Sequence, residues 1–373
     1  MKVSCLQENL AKGLATVGRA VATRSTLPVL SNVMLATDQG RLKLSATDLE
    51  IGINCWIGAQ VEEEGAITVP ARLLTDLVNS LPAERIDMQL NVRTQELYLQ
   101  CARYESNIKG IDAQEFPLIP TADEGDYQLT LEPGLLRQMI AQVAFAAATD
   151  ESRPILTGVL VKFDESHLTM AAADGFRLAV RRAQLEAAVP EPISIVIPAR
   201  ALAELGRISS DQELPISLSI TTSRSQALFR LSDTDLISQL IEGRFPDYNQ
   251  IIPKRYDTQT TVNTEAFLKA CRTANIFARN EANIVRLNAG QDRMEITARS
   301  AEMGDNVSEI DAQIAGEPIE IAFNVRFLID VLSVVDSAQV LLETTTSSSP
   351  GVIKLIGSED FAHVVMPMHV RND

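Results

Sequence analysis

The most constraining feature of this chain is an internal repeat with a period of 126 residues. Pairs of alternating apolar residues recur at that spacing in three places: Leu42 and Leu44, Leu168 and Met170, Met294 and Ile296. A second block follows each pair at a similar distance, as VPAR at 69–72, IPAR at 197–200 and FNVR at 323–326. Two separate blocks that stay in register indicate three copies of one folding unit. The function must therefore come from the assembly of the copies.

The length of 373 residues allows two or three domains, and the repeat favours three. Each copy has about 120 residues, which is enough for a hydrophobic core of its own. The predicted domains are residues 1–124, 127–253 and 257–373, with polar, turn-rich linkers at 121–126 and 253–257.

Each copy is predicted to combine two amphipathic helices with antiparallel strands. In the first copy, Leu10 and Leu14 share one face of a first helix, and strands of alternating residues follow. A second helix begins after a Val-Pro or Ile-Pro step, where proline suits the first turn. In the first copy we expect this helix to bury Leu73, Leu77 and Leu81. Two helices against antiparallel strands make an α+β fold, repeated three times in tandem.

The composition is that of an ordinary globular protein, with 46% hydrophobic and 22% charged residues. No apolar run approaches the roughly 18 residues that a membrane-spanning helix needs. Near the N-terminus, Gln7, Glu8 and Asn9 interrupt any signal-peptide core. We therefore expect a cytoplasmic protein without a membrane partner.

Neither the cysteines nor the histidines are spaced as metal ligands. The four cysteines show no CxxC pattern and the three histidines are scattered along the chain. This distribution favours reduced core thiols over a disulfide framework or a zinc site. The sequence predicts no metal and no cofactor.

The distribution of charge decides whether a nucleic acid can be a partner. A net charge of −16 argues against strong direct binding to phosphates unless the basic residues are gathered on one face. Lys12 and Arg19 are seven residues apart on the first helix and share a face. Arg72, Arg200 and Arg326 begin the second helices at matching positions of the three copies. The hypothesis is an acidic shell with basic helix faces.

Four motifs resemble the bacterial DNA polymerase III beta subunit family, the replicative sliding clamps: TLPVLSN at 26–32, ADGFRL at 173–178, EGRFPDY at 242–248 and VVMPM at 364–368. The similarity runs in the same order from Met1 to Val370. The resemblance implies a head-to-tail homodimer that closes a ring around duplex DNA, with helices inside and sheets outside. Twelve helices packed about 10 Å apart would leave ~28 Å clear for the duplex, whereas six would leave only ~9 Å.

Topology would hold such a ring on DNA, so its phosphate contacts can be few, weak and independent of sequence. The residues predicted to contact DNA are Lys12, Arg19, Arg24, Arg72, Arg153, Arg200 and Arg207. The resemblance further implies a clamp loader, the replicative polymerase and other DNA-processing proteins as partners, and a processivity factor without a catalytic site.

The resemblance also implies a groove between the second and third domains that binds a short linear motif through apolar anchors. The matching positions are Leu156, Ala173, Gly175, Phe176, Arg177, Leu178, Pro246, Ile251, Val364, Met366, Pro367 and Met368. Methionine and aliphatic side chains adapt to several ligands, and a few buried anchors supply most of the affinity. The chain departs from the family pattern at Ala173, Gln250 and His369.

The dimer seam is expected to join an edge strand of the first domain to an edge strand of the third. Ile108, Ile276 and Phe277 are the candidate interface residues, and the alternative is that they belong to the domain cores.

An enzyme and a monomeric interaction scaffold are the competing classes. The sequence contains no G-x-S-x-G, HExxH, G-x-G-x-x-G or Walker motif. Gly13 and Gly18 have phosphate-loop spacing, but Arg19 and Ala20 replace the required Lys-Ser/Thr. The repeat-related Asp48 and Asp174 follow short strands, where aspartate commonly caps a turn. The scaffold alternative predicts a monomer, which distinguishes it from a clamp.

Overall fold

The computed structural model describes residues 1–119, 127–189, 191–280 and 282–369. Six α-helices lie in these residues: α1 (Gln7–Val17), α2 (Ala71–Ser80), α3 (Pro133–Val143), α4 (Ala199–Ile208), α5 (Thr264–Ala278) and α6 (Val325–Leu332). The strands of the same ranges are β1 (Lys2–Leu6), β2 (Asn32–Asp38), β3 (Arg41–Thr47), β4 (Ile51–Ile57), β5 (Gln60–Glu63), β6 (Ala66–Pro70), β7 (Arg85–Asn91), β8 (Glu96–Cys101), β9 (Tyr104–Lys109), β10 (Tyr127–Leu131), β11 (Gly158–Asp164), β12 (His167–Ala173), β13 (Arg177–Gln184), β14 (Ile193–Pro198), β15 (Ile216–Ile220), β16 (Gln226–Arg230), β17 (Thr234–Gln239), β18 (Thr258–Asn263), β19 (Ile284–Gly290), β20 (Arg293–Ser300), β21 (Gly304–Gly316), β22 (Ile319–Asn324), β23 (Gln339–Thr344), β24 (Gly351–Leu355) and β25 (Phe361–Val365).

Unit 1 consists of Met1–Arg137 and Glu204–Leu240. It contains a five-stranded sheet in the order β5-β1-β7-β8-β9 and an eight-stranded sheet in the order β10-β15-β16-β17-β4-β3-β2-β6. Helix α1 packs on β4 and on α2, and its buried residues are Leu10, Gly13, Leu14 and Val17. The predicted apolar face of the first helix is therefore confirmed.

Unit 2 consists of Gln138–Ala203 and Ile241–Asp373. Its strands form one antiparallel sheet in the order β14-β11-β12-β13-β25-β24-β23-β18-β21-β20-β19-β22. Helices α5 and α6 pack against each other, and α5 also packs on β20 and β21. Phe267 and Phe323 are fully buried in this core.

The threefold repeat is confirmed element by element. The three alternating apolar pairs lie on β3, β12 and β20, and all six side chains are buried because they face a core in each copy. The second blocks join β6 to α2, β14 to α4 and β22 to α6. The predicted domain boundaries remain predictions, and the linker proposed at 121–126 lies outside the described residues.

The predicted buried face of α2 is wrong by one residue. Leu73 is 53% exposed, whereas Leu74 and Val78 are fully buried. Because the helix begins with the buried Ala71, its inward face follows at i+3 and i+7 from that position. Leu81 is buried, but it follows the end of the helix in extended conformation.

All four cysteines are free and buried. Burial raises the pKa of the Cys5 thiol to about 12, and it also raises the pKa of Cys271. Both thiols therefore stay protonated at neutral pH. Among the described helices, none is both long and apolar enough to cross a membrane.

Candidate partner-binding site and basic helix surface

The residues predicted for the partner groove all lie in unit 2, where one strand pairing brings most of them together. Strand β13 pairs with β25 so that Leu178 is opposite Val364. These two side chains join Leu156, Ala173 and Phe245 in one buried apolar cluster. The cluster forms an apolar floor from segments far apart in sequence.

Three large apolar side chains among the residues predicted for the groove remain exposed. Phe176 is 61% exposed, Met366 is 40% exposed and Ile251 is 39% exposed. The Met366 N–H donates to the Phe176 carbonyl at 2.9 Å, which fixes these two residues side by side. We call this surface the open site, defined by buried Leu156, Leu178 and Val364 and by exposed Phe176, Ile251 and Met366.

A tight turn presents Phe176 at the surface. The Asp174 carboxylate accepts hydrogen bonds from the N–H groups of Phe176 (2.8 Å) and Arg177 (3.0 Å). Gly175 has a φ of +96°, a conformation that glycine adopts without strain. Asp174 is thus a turn-capping residue, as the sequence indicated. Asp48 caps a turn in the same way, because its carboxylate accepts from the N–H groups of Glu50 and Ile51.

Other predicted residues lie around this turn and the end of β25. Pro246 is exposed beside the buried Phe245, and Pro367 is half-buried. The Met368 N–H donates to the carbonyl of Ala322 on β22 at 2.8 Å, which anchors the segment after β25.

Arg177 connects the turn to two other elements of unit 2. Its guanidinium bonds the carboxylates of Asp174 (3.0 Å) and Asp330 (2.5 Å) and the carbonyl of Phe145 (2.7 Å). It also stacks on the Phe327 ring, with Cζ 4.5 Å from the centroid. The side chain is only 11% exposed, so these contacts satisfy a charge that burial would otherwise disfavour. Sequence reasoning missed Asp330, which is 153 residues away and carries no local signal.

A buried histidine lies under the open site. His363 on β25 is fully buried, and its ring centroid is 5.5 Å from that of Phe145. Burial, together with the nearby Arg177 charge, lowers the pKa of His363 to about 3. Within the described residues neither ring nitrogen has a hydrogen-bond partner. The imidazole is therefore neutral at physiological pH.

The departure from the family pattern at Gln250 has a structural role. Its amide donates to the Asp247 carboxylate at 3.0 Å. Hydrogen bonds from Gln250 and Asn249 lower the pKa of Asp247. A fixed negative charge therefore lies on the segment between Pro246 and Ile251.

Arg153, predicted to contact DNA, lies beside the turn of the open site. Its guanidinium donates to the Asp174 carbonyl at 3.0 Å and would be 3.1 Å from a Cβ placed on Gly175. Its side chain is exposed and supports the turn.

The basic residues predicted on the helices of unit 1 are exposed and form ion pairs. The prediction that Arg19 lies on the first helix is wrong, because α1 ends at Val17 and Arg19 lies in the 3-10 helix Gly18–Ala20 that follows it. Arg19 and Arg207 of α4 both bond Glu204, at 3.1 Å and 2.5 Å. Lys12 lies 3.9 Å from Asp211. The pair of Lys12 and Asp211 is exposed on both sides, and such a pair contributes at most about 1 kcal/mol. The Glu204 side chain is only 13% exposed, so its two pairs are less open to solvent.

Arg72 and Arg24 are the more accessible cations of unit 1. The Arg72 side chain is 96% exposed, and its ion pair to Asp76 is long at 3.9 Å. Arg24 is exposed in the segment after α1. In unit 2, Arg200 is exposed on the first turn of α4.

The predicted interface residues differ in exposure. Ile108 is 3% exposed, so at any interface β9 would contribute its backbone rather than this side chain. Strand β9 is an edge strand of its sheet. Ile276 is 50% exposed on α5, whereas Phe277 packs against the core of unit 2.

The comparisons with known proteins cover the whole chain. Sequence models of the DNA polymerase III beta subunit match in order: the N-terminal domain at residues 1–120, the central domain at 130–247 and the C-terminal domain at 249–369. The beta sliding clamp of Synechococcus elongatus is 34% identical over 377 residues and is matched over 100% of both chains. That of Staphylococcus aureus is 31% identical over 360 residues, 94% of each chain.

Solved structures agree with the sequence comparisons. The DNA polymerase sliding clamp of Bacillus subtilis superposes with a TM-score of 0.93 at 30% identity, over 100% of both chains. The sliding clamp of Pseudomonas aeruginosa bound to griselimycin gives a TM-score of 0.91 at 29% identity, over 99% of this chain and 100% of that one.

Three tandem modules of two helices and antiparallel sheet define the class of DNA sliding clamps. The family models and the full-length relatives make the assignment specific. The chain belongs to the DNA polymerase III beta subunit family. The predicted fold class and the predicted function as a DNA sliding clamp, a processivity factor, are confirmed.

Proposed function

We propose that two copies of this chain close head to tail into a ring that encircles duplex DNA and tethers the replicative polymerase. The observation that carries the proposal is the recurrence of exposed basic residues on the helices of an otherwise acidic chain with a net charge of −16. In a ring held by topology, weak phosphate contacts permit sliding, and the acidic remainder discourages binding elsewhere. The ring itself carries no catalytic site. It works in the bacterial cytoplasm after a clamp loader has opened it.

The encircling mode is tested by retention on circular and linear DNA. We expect the dimer to remain on nicked circular DNA and to leave linear DNA through the ends. The double variant Arg24→Glu/Arg72→Glu should reduce retention on circles, because two exposed cations become anions. Arg93→Glu is the matched control, since Arg93 is exposed in the loop between β7 and β8. If the wild type dissociated from circular and linear DNA at the same rate, the ring would be refuted.

The open site is proposed to bind the short apolar motif of the polymerase and other partners. Its support is the set of exposed Phe176, Ile251 and Met366 over a preformed apolar floor. A preformed floor lowers the entropic cost of binding, and exposed methionine adapts to different anchors. The test is titration of a synthetic six-residue peptide with leucine and phenylalanine anchors against the full chain. Binding that is unaffected by Met366→Asp would refute this site.

The seam of the ring is proposed to join β9 of one copy to the first part of β21 of the other. Strand β9 has an open edge, and residues 304–311 of β21 pair with β20 on one side only within the described residues. The exposed Val307 and Ile276 lie on β21 and on α5, which packs on it. An unpaired strand edge beside apolar side chains is a template for strand addition.

The seam is tested by light scattering of Ile276→Asp. We expect the wild type to be a dimer and the variant to be a monomer, because a carboxylate would be buried without a partner. Leu214→Asp is the control, as Leu214 is 64% exposed in unit 1, away from the proposed seam strands. A dimeric Ile276→Asp variant would exclude this seam, and a monomeric wild type would favour the scaffold alternative.

A further inference from the structure

The turn that builds the open site is built a second time in unit 1. The Asp48 carboxylate accepts from the N–H groups of Glu50 (3.1 Å) and Ile51 (2.9 Å), as Asp174 does 126 residues further on. The Gln239 N–H donates to the Glu50 carbonyl at 2.9 Å. In unit 2 the Met366 N–H donates to the Phe176 carbonyl at the same distance. The repeat therefore reproduces the architecture as well as the strands.

Strand register establishes which residues of the two sites correspond. Strand β17 pairs with β4 as β25 pairs with β13, with Ile237 opposite Gly52 where Val364 is opposite Leu178. Five of the six positions that define the open site thus have a counterpart in unit 1, and Ile251 is the exception. The counterparts of Leu156, Leu178, Val364, Phe176 and Met366 are Leu30, Gly52, Ile237, Glu50 and Gln239.

One floor position has no side chain in unit 1, and a residue from another segment fills the space. A Cβ placed on Gly52 would lie 2.9 Å from Cγ2 of Ile119. Ile119 packs against the buried cluster that contains Leu30 and also against the buried pair of Leu228 and Ile237. It therefore bridges two floor clusters that in unit 2 form one continuous cluster.

We propose that Ile119 acts as an intramolecular ligand of this second site and closes it to partner motifs. We call this surface the filled site, defined by Leu30, Gly52 and Ile237 and occupied by Ile119. Ile119 follows Pro117 in a non-helical segment and offers an aliphatic anchor, which is the chemistry expected of an external motif. The proposal rests on the proposed function of the open site.

The test isolates the filled site by first disabling the open one. Met366→Asp removes peptide binding at the open site. Adding Ile119→Ala should create a new apolar opening in unit 1 and restore binding of the six-residue leucine and phenylalanine peptide. We expect a Kd about ten- to a hundredfold weaker than that of the wild type, because Glu50 and Gln239 replace two apolar walls. The readout is calorimetric titration of the full chain.

The neighbouring residue provides the matched control. Leu118 is 100% exposed, so Met366→Asp/Leu118→Ala should not bind the peptide. The emission of the single tryptophan, Trp56 on β4, verifies that unit 1 is folded in each variant. If the alanine variant unfolds, Ile119→Val in the same background is tested by the same criterion.

Each outcome has one meaning. A folded Met366→Asp/Ile119→Ala variant, or the folded valine variant in its place, that fails to bind overturns the proposal. Binding by the Leu118→Ala control would also overturn it, because the filled site would then be accessible without removal of Ile119. A wild type that does not bind the peptide overturns the proposed function of the open site instead.

Discussion

The open site of unit 2 and the filled site of unit 1 share one backbone design and differ in a few side chains. Both have the same aspartate-capped turn and the same strand register. At the surface, however, Phe176 and Met366 in one correspond to Glu50 and Gln239 in the other. The comparison teaches that the repeat supplies the scaffold, whereas a few surface positions give one copy an exposed apolar surface that the other lacks.

The sharpest test of this comparison places the same charge at both sites. Met366→Asp should weaken binding of the anchor peptide more than a hundredfold, which corresponds to more than about 2.7 kcal/mol. A carboxylate there would lose hydration without gaining a partner when the peptide binds. Gln239→Asp at the corresponding position of the filled site should leave the affinity unchanged. Calorimetric titration measures both, and equal losses would erase the distinction between the sites.

The second test concerns the residue that follows the turn, which is Arg177 in the open site and Ile51 in the filled site. Arg177→Ala removes the bonds to Asp174, Asp330 and the Phe145 carbonyl. We expect peptide affinity to fall about tenfold and stability to fall by about 2–3 kcal/mol, because partly buried acceptors lose a charged donor. Arg182→Ala, an exposed position on the same strand, is the control.

Titration and urea unfolding together separate the two effects of Arg177. An intact affinity in a destabilised Arg177→Ala variant would mean that the arginine stabilises unit 2 without shaping the open site.

The third test uses the buried residue of β25, which is His363 under the open site and corresponds to Leu236 in unit 1. The pKa of His363 is lowered from 6.5 to about 3 in the folded chain. Below pH 6.5 the unfolded state therefore binds a proton that the folded state refuses, and stability decreases as the pH falls. The loss is about 1.4 kcal/mol per pH unit, or about 2 kcal/mol at pH 5.

The variant His363→Leu makes the open site resemble the filled site at this position. The substitution should remove the loss of folding stability that His363 causes at low pH. Urea unfolding of the wild type and the variant at pH 7 and pH 5 measures this loss. If the free energy of unfolding fell equally from pH 7 to pH 5 in the wild type and the variant, His363 would not take up a proton on unfolding.

The sequence was sufficient to predict the repeat and the fold class, because both follow from local patterns, and the partner site proposed from its motifs stays a prediction. Strand alternation repeats at 126-residue spacing, and the motifs around Phe176 and Met366 are contiguous in the chain. The Arg177–Asp330 bond and the placement of Ile119 where a Gly52 side chain would lie involve distant segments, so no local pattern indicates them.

The periodicity of the sequence also does not determine which side chains are exposed. On α2 two adjacent leucines satisfy helical periodicity, and only packing shows that Leu74 is buried and Leu73 exposed. For Ile108 the sequence left an interface and the core as alternatives, and the structure shows an edge strand whose Ile108 side chain is buried. A strand edge and a strand face are different surfaces, and sequence position alone does not separate them.

The smallest expected effect concerns the second position of the turn, which is Gly175 in the open site and Leu49 in the filled site. Leu49 has a φ of +79°, a conformation that costs a side-chain-bearing residue roughly 1–2 kcal/mol. Glycine relieves that cost but adds freedom to the unfolded chain, so Leu49→Gly should gain about 0.5–1 kcal/mol. Leu49 is 50% exposed, so little burial is lost. Urea unfolding followed by Trp56 fluorescence measures the gain in unit 1, and a less stable Leu49→Gly variant would show that the leucine side chain contributes more than its backbone strain costs.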